Sequence, residues 1–144
     1  MFWALCCVLF SGPKDTLTHP RFVFHLLQTD AACCEQVYQK FSNSKQLSQR
    51  AYAAAAQMSM AEHTFNPYLK LRYFNTGKAL LESLIQQHPQ NAELHYIRYV
   101  IQKHAPGLLG YNGQIEADRA LLLKALPYLK QNDLFLYNRC RSIL

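Results

Sequence analysis

Histidine is the residue type in this chain best suited to bind a metal or transfer a proton. The histidines never fall four residues apart on one helix, and no cysteine or carboxylate completes a ligand set. Near helix C-termini, histidines more often contact free backbone carbonyls, which is the role predicted for two of them. The spacing predicts no metal site and no cofactor. The six residues are His19, His25, His63, His88, His95 and His104.

Acidic and nucleophilic side chains show no catalytic spacing either. Glu116 and Asp118 lie two positions apart, so they point in different directions on a helix. Their place near a predicted helix start favours an interaction with the helix dipole. Residues 11–13 do not form a nucleophile elbow, and the glycines of 106–113 do not follow a strand as a dinucleotide loop must. No catalytic residue is predicted.

Tyrosine and arginine side chains on two consecutive predicted helices are candidates for partner binding. These amphipathic types are the ones that protein interfaces favour. Nucleic acid is not predicted as a partner, because Glu82 and Glu93 interrupt the basic residues and no dense basic run occurs. The candidate partner-binding residues are Tyr68, Arg72, Tyr73, Tyr96 and Tyr99.

Arg98 lies between Leu94 and Ile101 on the helical wheel, close to an apolar face. Either its stem covers apolar surface or its guanidinium pairs with a carboxylate such as Glu93 or Asp118. Both alternatives favour a structural role for Arg98.

The elements that must position these residues are helices. The chain has 144 residues, half of them apolar, which suffices for one domain with its own core. Five Gly and six Pro are few for an all-β protein, and no β-branched run alternates strictly. The net charge of the chain is +6, but charged residues make up only 17% of its sequence. We predict an all-α fold, an irregular array of five to seven helices in antiparallel hairpins.

Residues 1–13 contain an apolar run of signal-peptide length that is too short to span a bilayer. A basic n-region and a small-x-small cleavage site are missing, so a segment buried on the domain is the alternative. Cleavage would leave residues 14–144 as a single periplasmic or secreted helical domain; otherwise the protein is cytoplasmic. No other apolar run is long enough to cross a membrane, so no integral membrane segment is predicted.

Capping residues and prolines predict where the helices begin and end. We expect Pro127 to start the last segment, and residues 18–28 to form a short helix before the first cap. The loop of 106–113 is too apolar to lie free in water, so it should pack back on the bundle. The predicted N-caps are Asp30, Asn66, Asn91 and Asn112.

Small residues on two predicted helices indicate a close helix crossing. Residues 53–56 are all alanine, and Gly77 lies on the apolar seam of the helix that follows Asn66. Glycine in mid-helix costs about 1 kcal/mol relative to alanine, so a neighbouring helix should approach closely there. That neighbour is either the alanine-rich helix or the helix after Asn91. Lys78 and Glu82 are expected to face outward as neighbours.

The stretch from Gly77 to Glu93 resembles the second helix and inter-repeat turn of a tetratricopeptide repeat. Gly77 and Leu84 stand at the small-residue positions of that motif, Leu81 at its bulky position and Pro89 at its turn proline. The resemblance covers about 30 residues and implies a tetratricopeptide-like hairpin. The next helix departs from the motif, with His95, Arg98 and Tyr99 where it has Trp, Leu and a small residue.

A wider stretch, roughly residues 51–123, is similar to uncharacterised exported helical proteins of Bacteroidota. The similarity is carried by the runs 65–78 and 104–118. It implies a helical fold and export, and it brings no activity.

Two functions remain open at this point. The first is a non-enzymatic helical scaffold or protein-interaction module with an unknown protein partner. The alternative is a small-ligand-binding protein or enzyme with a pocket under the loop of residues 106–112. A shallow groove favours the first, and a deep pocket with convergent polar groups favours the second.

Cysteine usage leaves a further alternative. After cleavage of the leader, Cys33, Cys34 and Cys140 would be the only cysteines. Cys140 either forms a disulfide with Cys34 or Cys33, or all three remain thiols.

Overall fold

The computed structural model describes residues 19–144, and helices dominate that range, which contains no β-strand. This confirms the all-α prediction. Short 3-10 helices cover Pro20–Phe22, Phe24–Leu26 and Gly107–Leu109. The six α-helices are α1 (Ala31–Phe41), α2 (Leu47–Ser59), α3 (Pro67–Gln87), α4 (Ala92–His104), α5 (Ile115–Asn132) and α6 (Leu134–Ile143).

Three of the four predicted caps are confirmed by side-chain hydrogen bonds. The Asp30 carboxylate accepts from the backbone N–H of Cys33, at 2.9 Å. The side-chain oxygen of Asn66 accepts from two N–H groups of α3, and that of Asn91 accepts from the N–H of Leu94 at 3.1 Å. Local residue types therefore determine where α1, α3 and α4 begin.

Asn112 does not cap α5, which begins three residues later at Ile115. The backbone carbonyl of Asn112 instead accepts from the N–H of Ile115 in a turn. Pro127 does not start a new segment either, because α5 continues through it to Asn132. The break comes at Asp133, whose carboxylate accepts from the N–H of Leu136 and caps α6.

The segment before α1 also differs from its prediction. In place of one short helix, the chain forms two single 3-10 turns, Pro20–Phe22 and Phe24–Leu26. Only the side chain of His19 caps this region, by accepting from the N–H of Arg21. Tertiary contacts hold the segment in place, as described below for Arg21.

Two helices form the centre of the bundle. In α2, every residue from Ala51 to Met58 is buried, and in α4 the same holds from Leu94 to Tyr99. Each helix packs on the next along the chain, and α4 also contacts both α2 and α6. Because α2 and α4 are covered on all sides, polar residues on them need buried partners.

The crossing of α2 and α3 is as close as the small residues predicted. A Cβ placed on Gly77 would lie 2.5 Å from the carbonyl oxygen of Ala54 and 2.6 Å from Cγ of Met58. Of the two neighbours considered, the alanine-rich helix is therefore the one that approaches Gly77. Close packing by α2 offsets the low helix propensity of glycine.

Arg21 ties the segment before α1 to the start of α4 and the start of α6. Its guanidinium donates to the carboxylate of Glu93 at 2.6 and 2.9 Å, and to that of Asp133 at 2.9 Å. The hydroxyl of Tyr52 donates to the same oxygen of Glu93. Burial opposes the charge on Arg21, but these carboxylates outweigh burial and raise its pKa. The negative charge of Glu93 is thus compensated by Arg21 within the fold.

Cys33, Cys34 and Cys140 are buried free thiols, so none of them forms a disulfide. The Sγ–H of Cys34 donates to the carbonyl of Leu27 at 2.9 Å. Burial raises the pKa of Cys34 to about 12 and that of Cys140 to about 12.

We therefore expect Cys33, Cys34 and Cys140 to react slowly with iodoacetamide in the native protein and fully after unfolding. Burial blocks the reagent, and the raised pKa values keep the thiols protonated, which makes them poor nucleophiles. Mass spectrometry of the digested protein measures alkylation at each cysteine. Rapid labelling of Cys34 or Cys140 without unfolding would contradict the packing described above.

The predicted leader, residues 1–13, lies outside the described residues. Among residues 19–144, no helix combines the length and the apolarity needed to cross a membrane.

Candidate functional site

An apolar groove of about 370 Å³ lies where the start of α3 meets the ends of α2 and α4. One stripe of α3 forms its first wall. Pro67, Lys70, Leu71 and Phe74 follow each other at steps of three, one and three residues, so they share one helix face. The Asn66 cap and Pro67 fix where this helix starts, and they therefore place the stripe.

Apolar residues at the C-terminal ends of two other helices form the second wall of the groove. Met58 and Ala61 come from α2 and the turn after it, and Ile101 and Ala105 come from the end of α4. The third wall is the 3-10 turn that follows, with Pro106, Leu108 and Leu109. The predicted loop over a pocket thus supplies part of the groove's lining.

The 106–113 loop turns because of its proline and glycine. The residue before Pro106 is disfavoured in helical conformation, and α4 ends at His104. Gly110 takes a positive φ of 58°, which glycine adopts without strain. Leu109 packs against the core, whereas Leu108 is 97% exposed. The expectation that this apolar loop packs back on the bundle therefore holds for Leu109 and not for Leu108.

Large apolar side chains remain exposed beside the groove. Leu71 and Leu108 line it and are 53% and 97% exposed. Phe65 and Tyr68 lie on either side of Pro67 in the sequence and are exposed as well. Exposed large apolar side chains near a concave site are typical of binding surfaces in soluble proteins.

A buried polar cluster lies between α4 and α5. The guanidinium of Arg98 donates to both carboxylate oxygens of Asp118, at 2.6 and 2.8 Å. Nδ1 of His95 lies 2.6 Å from the same carboxylate, and its Nε2 lies 2.9 Å from the carbonyl of Pro89. Asp118 is fully buried. Of the partners proposed for Arg98, Asp118 is confirmed, while Glu93 pairs with Arg21 instead.

The His95 and Asp118 pair has the composition of a catalytic dyad but not its accessibility. Both ring nitrogens of His95 are engaged by protein oxygens, and the residue is buried. A general base needs a free nitrogen within reach of substrate. Burial alone would raise the pKa of Asp118, but hydrogen bonds from Arg98 and His95 outweigh burial and lower it. At neutral pH the arrangement holds an ionised carboxylate that serves as a structural anchor.

Glu82 connects this cluster to the loop that walls the groove. Its carboxylate accepts from Arg98 at 2.7 Å and from the hydroxyl of Tyr111. Tyr111 also packs edge-on against Phe74, and Nζ of Lys78 lies 4.9 Å from its ring centre. Burial and the bond to Glu82 raise the pKa of Tyr111. Glu82 therefore does not face outward as expected, because its partners lie on α4 and in the loop.

The five residues predicted for partner binding do not share a surface. Tyr68 and Arg72 are exposed on α3, and Tyr73 is half-buried. Tyr96 and Tyr99 are buried in the core, at 7% and 3% exposed, because α4 is covered on all sides. Sequence periodicity could not show this, since it presents α4 as an amphipathic helix with one free face.

The histidines play structural roles where the structure gives them contacts. Nδ1 of His104 lies 2.8 Å from the carbonyl of Val100, one turn earlier, as predicted for a helix C-terminus. Nε2 of His63 lies near the carbonyl of Leu27. Within residues 19–144, no group of three or more His, Cys, Asp or Glu side chains is arranged to hold a metal ion.

Comparison with protein-family models, with curated proteins and with solved structures finds no significant match to this chain. The groove and its supporting polar cluster are therefore the features of this chain that bear on its function. Among them, only the groove combines accessibility with a concave apolar lining.

Proposed function

We propose that this protein is a non-enzymatic binding protein that takes a small apolar molecule into the groove between α2, α3 and α4. The observation that carries the proposal is the groove itself, about 370 Å³ in volume and lined mainly by apolar side chains. Small-molecule sites are concave, mostly apolar and about 300–1,000 Å³ in volume. The loop of residues 106–112, under which the alternative hypothesis placed a pocket, supplies one wall of this groove.

The groove is held open by groups outside it. The Tyr111 and Glu82 contact fixes the loop, and Arg98 and Asp118 fix Glu82 from behind. This preformed geometry favours binding, since a site that is ordered in advance loses little conformational entropy on binding. The polar cluster thus supports the site without touching a ligand.

We expect the full chain to bind the neutral fluorescent dye Nile red saturably, and Leu71→Asp to weaken that binding about tenfold or more. Leu71 lines the groove and is 53% exposed, so a carboxylate there is hydrated in the free protein but loses water when the dye binds. Fluorescence titration measures the affinity.

Leu123→Asp is the matched control, because Leu123 is 43% exposed on α5 and lines none of the cavities described here. Its affinity for Nile red should stay within about twofold of the unsubstituted chain. Equal affinities for the two variants, or no saturable binding by the unsubstituted chain, would contradict the proposal.

A protein partner is the second candidate, and the exposed Phe65 and Tyr68 favour it. Both are close in sequence to Pro67, which lines the groove, and exposed aromatic side chains are the anchors that peptide-binding surfaces use. Native mass spectrometry of protein purified from its source separates the two functions. A retained small-molecule mass favours the first, and a stoichiometric protein partner that Phe65→Ser and Tyr68→Ser release favours the second.

A further inference from the structure

A second cavity, of about 190 Å³, adjoins the apolar groove. The two share four lining residues, Gln28, Ser59, Ile101 and His104, so they lie side by side. The second cavity runs between the segment before α1 and the ends of α4 and α6. We call it the basic cleft, after its lining residues Arg21, His25, His104 and Arg139.

No Asp or Glu residue is among those that line the basic cleft. Arg21 is already paired with Glu93 and Asp133. Arg139 forms no ion pair with a described carboxylate, and its guanidinium lies 5.4 Å from the ring centre of Phe135. The guanidinium of Arg139 is therefore available to an anion.

Tyr96 supplies a second hydrogen-bond donor in the lining of the basic cleft. It lines the basic cleft and is only 7% exposed, yet its hydroxyl has no hydrogen-bond partner among residues 19–144. Tyr52, Tyr99 and Tyr111, which are buried to a similar degree, each use their hydroxyl. The hydroxyl of Tyr96 is not among the side-chain atoms that are buried without a partner, so its oxygen is accessible and can donate to a ligand oxygen.

We propose that the ligand is a long-chain carboxylate, with its hydrocarbon chain in the apolar groove and its carboxylate in the basic cleft. Arg139 would donate to the carboxylate, and the hydroxyl of Tyr96 would donate to one of its oxygens. Nε2 of His104, which has no partner among the described residues, lies on the boundary between the two cavities. This inference rests on the proposed function and specifies the ligand class of the same site.

The test is displacement of Nile red from the full chain by dodecanoate and by dodecanol, which share a hydrocarbon chain and differ in charge. We expect dodecanoate to displace the dye at about tenfold lower concentration, because only the carboxylate forms a charge-assisted hydrogen bond with Arg139. Arg139→Gln should remove that preference by weakening displacement by dodecanoate more than displacement by dodecanol. Tyr96→Phe, which deletes a single oxygen, should reduce the preference for dodecanoate over dodecanol severalfold.

Arg141→Gln is the control, because Arg141 is exposed on the same helix and does not line the basic cleft. It changes net charge as Arg139→Gln does, and it should leave the preference intact. Equal displacement by the two probes, or equal effects of the two arginine variants, would overturn the carboxylate site while Nile red binding still supports the groove. Loss of all dye binding by the unsubstituted chain would overturn both proposals.

Discussion

Replacing Gly77 with alanine should destabilise this protein by about 1–3 kcal/mol, although helix propensity alone predicts a gain of about 1 kcal/mol. The added Cβ would lie 2.5 Å from the backbone oxygen of Ala54 and 2.6 Å from Cγ of Met58. The Met58 side chain can rotate away, but the Ala54 carbonyl is part of α2 and moves only if the helices separate. Gly77→Leu should destabilise at least as much.

Urea unfolding monitored by circular dichroism gives the free energies of unfolding. Thr76→Ala is the matched control, since Thr76 is the exposed neighbour on the same helix. It should gain a few tenths of a kcal/mol, because alanine is the better helix former. If Gly77→Ala is as stable as Thr76→Ala, α2 and α3 do not approach as closely as described.

Replacing Asp118 with alanine should cost about 3–5 kcal/mol, the range for removing one partner of a buried ion pair. Asp118 is fully buried and binds both Arg98 and His95. Its loss leaves the buried guanidinium with only Glu82, which is partly exposed. The free energy of unfolding is again measured in urea.

Glu116→Ala provides the comparison, because Glu116 lies in the same first turn of α5 but is exposed. It should lose no more than about 1 kcal/mol, the contribution of a surface charge to the helix dipole. Similar losses for the two variants would mean that Asp118 acts only through the dipole, as the sequence had suggested.

Stability should also depend on pH through Asp118. Its folded-state pKa is lowered from the ordinary 3.8, since bonds from Arg98 and His95 outweigh burial. The contribution of Asp118 is therefore fully present above about pH 4 and is lost as pH falls through the lowered pKa. The stability difference from Asp118→Asn should shrink on acidification below about pH 4, where Asp118 becomes protonated. A difference that does not shrink below about pH 4 would contradict this ion pair.

The fold class and three of the six α-helix starts follow from the sequence alone. Asp30, Asn66 and Asn91 cap the helices predicted for them, because a cap depends on one side chain and the two or three amides that follow. The close crossing at Gly77 was also predictable, since glycine in mid-helix and four consecutive alanines indicate close packing. Such signals are local, or they rest on side-chain size alone.

Which polar residues are buried and where the groove lies both depend on how the helices pack against each other. Tyr96 and Tyr99 resemble surface anchors in the sequence, but α4 is covered on every side, so they are buried. Glu82 contacts Arg98, 16 residues later, and Tyr111, 29 residues later. No periodicity encodes such pairs, because they depend on the relative rotation and offset of three chain segments. The groove arises in the same way: its walls come from α2, α3, α4 and a turn, and their separation is determined by packing between helices.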